Sequence, residues 1–142
     1  MTHYVVDTSV AVQYLVEESN SEETKNLFRS TQDSNKLFLP EFALLECTNV
    51  VWKYVRFHGV TPEEANELVK ALLSLDIVIV PATGLMPRAL EIGLKYNLAI
   101  YDSVYIALAE KLNNPLITVD KKQAKAAKAE GVTLKDIADF TP

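Results

Sequence analysis

Short, unbroken apolar runs alternate along this chain with stretches of helical spacing, and that alternation leaves few folds open. Runs of strand character lie at 3–6, 36–39 and 77–80, then at 116–119, with a further short one at 132–134. β-branched and aromatic residues dominate them, as suits a pleated surface. They are apolar throughout instead of alternating, the pattern of parallel strands covered by helices on both faces. Between them, residues 8–16 space Val10, Ala11, Tyr14 and Leu15 as a helix does. Ser19 with Glu22 reads as a capping box opening a helix that runs to about Thr31. Residues 41–58 read as a long helix closed by Gly59. Thr61, Pro62 and Glu64 give the next helix an N-cap, a first-turn proline and an acid at the third position, and it should end near Leu75. Further helices are expected over 85–96, from Asp102 to about Leu112, and over 121–130.

Strands joined by helices imply βαβ units with right-handed crossovers. The expected architecture is a three-layer α/β sandwich around a mainly parallel sheet of about four to five short strands. The 142 residues carry no internal repeat and no linker, so residues 1–142 read as one domain.

Four carboxylates interrupt the apolar pattern: Asp7, Glu46, Asp102 and Asp120. Ionised side chains are almost never buried unpaired. In open α/β sheets, sites form outside the carboxyl ends of the strands, and Asp7 and Asp120 each follow a strand directly. Asp102 would open a helix facing the same rim. Glu46 lies within a helix, where it shares a polar stripe with Asn49 and Lys53 while Phe42, Leu45, Val50 and Trp52 make an apolar surface. Each aspartate alone could be a plain helix cap, and Glu46 alone a solvent-facing residue. Together they suggest converging oxygen ligands for a hard divalent cation, and so a metal-dependent hydrolytic site.

Other chemistries fit less well. Cys47 is the only cysteine, which excludes an internal disulfide and a cysteine-based zinc site, and it reads as a small buried hydrophobe. His3 and His58 are too far apart in the pattern for a histidine-based site. A haloacid-dehalogenase phosphatase wants a second aspartate where Ser9 stands, and a receiver domain wants an acidic neighbour to Asp7. The formal net charge of −5 weighs against nucleic acid, but setting aside the four clustered carboxylates brings the remainder close to neutral. No apolar run is long enough for a membrane span, and Asp7 breaks the only apolar stretch near the N-terminus. A cytoplasmic protein is the default expectation.

Polar neighbours of the carboxylates are candidates for orienting them or for touching substrate. Thr8, Ser9 and Thr118 carry hydroxyls beside the aspartates, and Asn49 lies one helical turn from Glu46. The helix after Asp120 holds Lys121, Lys122, Lys125 and Lys128, with Lys121, Lys125 and Lys128 on one face. Such lysines position phosphates without reading sequence. Lys53 and Arg56 are second candidates.

The motifs VVDTSV, the E-x-x-N of Glu46 and Asn49, YDSVYIALA and LITVD occur here in one order across nearly the whole chain. In that order they resemble the PIN-domain nucleases, and among them the compact VapC-type toxin ribonucleases. The resemblance implies an acidic quartet of Asp7, Glu46, Asp102 and Asp120 holding Mg²⁺ or Mn²⁺, with RNA as substrate. Asp7, Glu46 and Asp102 would be direct ligands, and Asp120 a ligand or a water-orienting residue. It further implies a small antitoxin protein that places an Arg or Lys among the four carboxylates, and a homodimer, which helices with apolar positions on more than one face, such as Phe42 to Phe57, also lead one to expect. The alternatives within this likeness are a nuclease of RNA processing that is no toxin, or a silent RNA-binding or scaffold module.

Overall fold

The structure, a computed structural model, describes residues 2–16, 19–32 and 35–140. Four parallel strands form its sheet: β1 (His3–Val6), β2 (Lys36–Pro40), β3 (Val78–Val80) and β4 (Leu116–Ile117), in the order β3-β2-β1-β4. The apolar runs of β1, β2 and β4 bury most: Val5, Val6, Leu37, Leu39, Leu116 and Ile117 are all inaccessible to solvent. Seven α-helices flank the sheet among the described residues, giving the expected three-layer α/β arrangement. They are α1 (Thr8–Leu15), α2 (Ser21–Arg29), α3 (Phe42–His58), α4 (Pro62–Leu73), α5 (Met86–Tyr96), α6 (Ile100–Leu112) and α7 (Lys121–Ala129). None is long and apolar enough to cross a membrane.

Helix α6 lies against β1, β2 and β4, with α5 packed on it. Seven consecutive residues of α6, Ser103 to Ala109, are buried, as in a helix enclosed on nearly every side. The α5–α6 contact is close because position 93 is glycine. A Cβ there would stand 2.8 Å from the Leu98 carbonyl oxygen and 2.9 Å from Ile100 Cδ1. Helix α1 packs on α2 and α3, and α3 on α4. Gly59, at φ 76°, ends α3 in the left-handed conformation. Thr61 caps α4 by accepting the Glu64 N–H at 3.1 Å, and Pro62 takes the first turn.

Several boundaries differ from the sequence expectation, each for a local reason. Ser19 and Glu22 form no capping box, because α2 begins at Ser21 with Asn20 in the cap position. The buried Gln13 side chain accepts the Asn20 N–H at 2.7 Å, and Ser21 Oγ donates to the Val16 carbonyl at 3.1 Å, which together fix that later start. Helix α2 ends at Arg29, and residues 30–32 form a 3₁₀ turn. Helix α4 stops at Leu73, before Leu75, and Pro40 completes β2 instead of lying past its end. Asp102 does not open α6; it lies in the first turn, two residues past Ile100, because the Ala99 carbonyl already accepts the Ser103 N–H at 3.0 Å. Strand β4 is only two residues long. Beyond it, the Val119 N–H donates to Ser9 Oγ and the Asp120 N–H to Thr118 Oγ1, so the backbone leaves the ladder for side chains. The run at 132–134 makes a single parallel bridge, Leu116 to Leu134. Strand β3 was read as covered on both faces, but it is the sheet edge and leaves Val78 and Ile79 exposed.

Candidate active site

Strands β1 and β4 are neighbours, so their carboxyl ends bring Asp7 and Asp120 to one rim of the sheet. The Asp7 N–H donates to the Ile117 carbonyl at 3.0 Å, carrying the strand pairing up to the site itself. Two hydroxyls lace the ends together. Thr118 Oγ1 donates to Asp7 Oδ2 at 3.0 Å and accepts the Asp120 N–H at 3.0 Å. Ser9 Oγ lies 3.3 Å from Thr118 Oγ1, and the Ser9 N–H donates to Asp7 Oδ2 at 3.2 Å. Asp120 in turn caps α7, its Oδ1 accepting the Gln123 N–H at 2.9 Å. Asp7 and Asp120 are therefore helix caps and rim carboxylates at once. The N-termini of α1 and α7 carry partial positive charge toward them, and Asp102 sits at the N-terminus of α6 in the same way.

Glu46 arrives from the second turn of α3. Its Oε1 accepts hydrogen bonds from Thr8 Oγ1 at 2.8 Å and from the Tyr105 hydroxyl at 2.9 Å, and the Thr8 and Tyr105 hydroxyls also bond to each other. One carboxylate oxygen is thus pinned between α1 and α6.

The four acids feel one another. Burial raises the Asp102 carboxyl, and the charges of Asp7, Asp120 and Glu46 push it further, to about 6; only Lys122 opposes them. Asp7 is 4% exposed, and burial holds its carboxyl above the usual range despite the Ser9 and Thr118 hydrogen bonds. Burial pushes the Cys47 thiol up to about 12, with Glu46 and Asp7 adding to the effect, so this cysteine stays a neutral thiol. None of the four acids has an ion-pair partner among the described residues. Nor do any three acidic, histidine or cysteine side chains among those residues close tightly enough to hold a metal ion as they stand. The chemistry of the donor set does fit a hard divalent cation: four carboxylates without an ion-pair partner among the described residues, with the charges of Asp7, Asp120 and Glu46 all bearing on Asp102.

The remaining candidates divide. Ser9 and Thr118 contact Asp7, while Thr8 serves Glu46 instead of the aspartate beside it. Asn49 is exposed and lines a groove with Glu46. Lys121 and Lys125 are solvent-facing, and the lysine whose charge reaches Asp102 is Lys122. Two residues of the site were missed in sequence. Tyr105 lies in an apolar helical run, within the motif YDSVYIALA, and was not singled out there. Gln123 is fully buried and donates from Nε2 to the Asp102 carbonyl at 3.0 Å, joining α7 to α6. A glutamine at the third position of a capped helix was the available signal.

Residues 4–129 match the family model of the PIN domain. The chain is 28% identical over 123 residues to ribonuclease VapC3 of Pyrobaculum aerophilum, covering 85% of this chain and 92% of that protein. In fold it is similar to the crystal structure of PAE2754 from the same organism, with a TM-score of 0.72 at 18% identity, covering 98% of this chain and 92% of the other. It is also similar to a chain of VapBC2 from Rickettsia felis bound to a DNA fragment from their promoter, with a TM-score of 0.68 at 16% identity, over 95% and 98% of the two chains. The chain belongs to the PIN-domain family.

Proposed function

We propose that this chain is a metal-dependent endoribonuclease that hydrolyses RNA phosphodiester bonds, and that it is the toxin of a toxin–antitoxin pair. The observation that carries the reading is the electrostatics of Asp102, raised to about 6 by burial and by Asp7, Asp120 and Glu46, with no basic side chain ion-paired to any of them among the described residues. Asp7, Glu46 and Asp102 would hold Mg²⁺ or Mn²⁺, with Asp120 a fourth ligand or the group that orients the attacking water. A divalent cation bound there would supply water activation and neutralise charge on the scissile phosphate.

The chain's own residues supply the positioning. Ser9 and Thr118 hold Oδ2 of Asp7, and Thr8 and Tyr105 hold Oε1 of Glu46. The helix N-termini behind Asp7, Asp102 and Asp120 lessen the cost of gathering anions and favour a phosphate beside them. Lys122, and beyond it Lys121 and Lys125, would steady the RNA backbone.

Support for the toxin reading comes from relatives. Ribonucleases VapC3 and VapC9 bear that activity in their names, and several similar structures are VapBC complexes or toxin–antitoxin complexes. An antitoxin of this chain would place a guanidinium or ammonium among the four carboxylates, meeting their charge as a cation does. A homodimer is part of the same reading. Exposed Leu90 and Leu94 give α5 an uncovered apolar face of the kind a second copy buries.

The test is a fluorogenic RNA assay with Mn²⁺ or Mg²⁺, with and without chelator. Cleavage that needs the metal and Asp7 is expected; cleavage that survives both losses would defeat the assignment. Growth arrest on expressing the chain alone, dependent on Asp7 and Asp102, tests the toxin role. Harmless expression of an active nuclease would leave the enzyme standing and end the toxin reading.

A further inference from the structure

We propose that a groove beside the acidic cluster, walled by Trp52 and Tyr101, is a nucleobase subsite for single-stranded RNA. The inference rests on the ribonuclease reading and deepens it. The groove holds about 560 Å³ and is lined by Phe42, Leu45, Glu46, Asn49, Trp52 and Tyr101 among others. That volume is in the range of sites for small organic groups. Glu46 is at once a groove wall and one of the four clustered acids, so the groove opens directly onto the proposed reaction centre.

Its walls suit a base. Trp52 is 56% exposed and Tyr101 63% exposed, so both rings offer free surface for stacking. Phe42 packs edge-on against Tyr101 and against Tyr105, each at 5.5 Å between centroids, and the Tyr105 hydroxyl binds Glu46. This chain of contacts fixes the aromatic wall relative to the carboxylate. Asn49 stands one turn along α3 from Glu46, exposed, and its side chain has no hydrogen-bond partner among the described residues. An amide offers a donor and an acceptor side by side, the pair a base edge needs.

The charges around the groove favour RNA over a protein. Lys53, on the stripe of Glu46 and Asn49, and Arg56, one turn along α3 from Trp52, are both exposed, and neither has a carboxylate partner among the described residues. By the helical rise, Trp52 lies about 9 Å and Arg56 about 15 Å along the axis from Glu46. Bases stacked near Trp52 would leave their phosphates to these two cations.

Trp52 is the only tryptophan, so its emission reports on the groove alone. Single-stranded octamers of adenylate and of uridylate would be titrated into the full chain carrying Asp7→Asn, with a duplex of equal length as control. Saturable quenching by single strands and little by duplex is expected. In cleavage assays of the otherwise native chain, Trp52→Ala should raise KM roughly tenfold, the size of one lost stacking contact, with kcat nearly unchanged. Trp52→Phe, which still stacks, should restore most of the affinity, and Asn49→Ala should alter the preference between adenylate and uridylate. Metal-dependent cleavage with no quenching and a native KM in Trp52→Ala would overturn the subsite and leave the nuclease. Quenching by an RNA that the native chain never cleaves would uphold the subsite against the nuclease. Emission that follows protein concentration and ignores RNA would show a second copy on this face, and would overturn the proposal.

Discussion

The Tyr105 hydroxyl donates to Glu46 Oε1 at 2.9 Å, binding the buried helix α6 to the carboxylate that α3 sends into the site. Fifty-nine residues separate the two in sequence, and Thr8 closes the same knot from α1. Tyr105→Phe keeps the ring against Phe42 and removes only the hydroxyl. It should cost about 1 kcal/mol of stability. Loss of a group that orients a metal-holding carboxylate should lower metal-dependent cleavage by about 10- to 100-fold. Urea denaturation and steady-state kinetics on one preparation measure both. Native kcat in a stable Tyr105→Phe protein would mean that Thr8 alone positions Glu46.

Asp7→Asn should abolish cleavage while making the metal-free protein more stable at neutral pH. Asp7 is nearly inaccessible and carries its charge at a desolvation cost. The asparagine carbonyl can still accept from the Ser9 N–H and Thr118 Oγ1, the two bonds made by Oδ2. A melting temperature higher by a few degrees, with no cleavage, is the expected pair of results. A lower melting temperature would show that the charge itself holds the rim together.

How far the sequence reached is clearest from Asp7 and Asp120. Both follow apolar runs and both precede helical spacing, so their rim positions were readable from local pattern, as were the Gly59 stop and the Thr61 cap. Reading failed where a distant side chain decided the outcome. Gln13 moved the start of α2 away from Ser19, the close α5–α6 packing at Gly93 accompanies an α6 that begins before Asp102, and β3 was left uncovered by its place at the sheet edge. Tyr105 and Gln123 were invisible for a related reason. In an apolar helix a tyrosine ring reads as core, and only the tertiary partner reveals what its hydroxyl is for.

Asp102 sets the expected pH behaviour. Its folded carboxyl lies near 6, above the 3.8 of an unperturbed aspartate, so the folded chain binds this proton more tightly than the unfolded one. The stabilising contribution is fully present below about pH 4 and is lost as pH rises through about 6. Metal-free native protein should therefore lose stability between about pH 4 and 7 relative to Asp102→Asn, which has no such proton to release. Bound metal reverses the trend, because the cation needs the deprotonated carboxylate, and Mg²⁺ affinity should fall as pH drops below about 6. Urea midpoints across this range, with and without Mg²⁺, test both statements. Parallel profiles for the two proteins would remove Asp102 from the coupled cluster.

Gln123 offers the cleanest separation of stability from positioning. Its side chain is fully buried, Nε2 donates to the Asp102 carbonyl at 3.0 Å, and Oε1 has no hydrogen-bond partner among the described residues. Such an acceptor costs on the order of 1–3 kcal/mol, more than the one bond returns. Leucine has nearly the same volume and no polar atoms, so Gln123→Leu should be neutral or should raise stability by about 1 kcal/mol. The Gln123 N–H to Asp120 Oδ1 is a backbone bond and survives the change. What disappears is the tie between α7 and the Asp102 backbone, and with it part of the fixed spacing between Asp102 and Asp120. Cleavage should fall, mainly through weaker metal binding, and Gln123→Glu should not restore it, since a carboxylate cannot donate to a carbonyl. Chemical denaturation paired with Mn²⁺ titration of activity reads the two effects separately. A Gln123→Leu protein that is more stable and binds metal as the native chain does would reduce this glutamine to a packing residue.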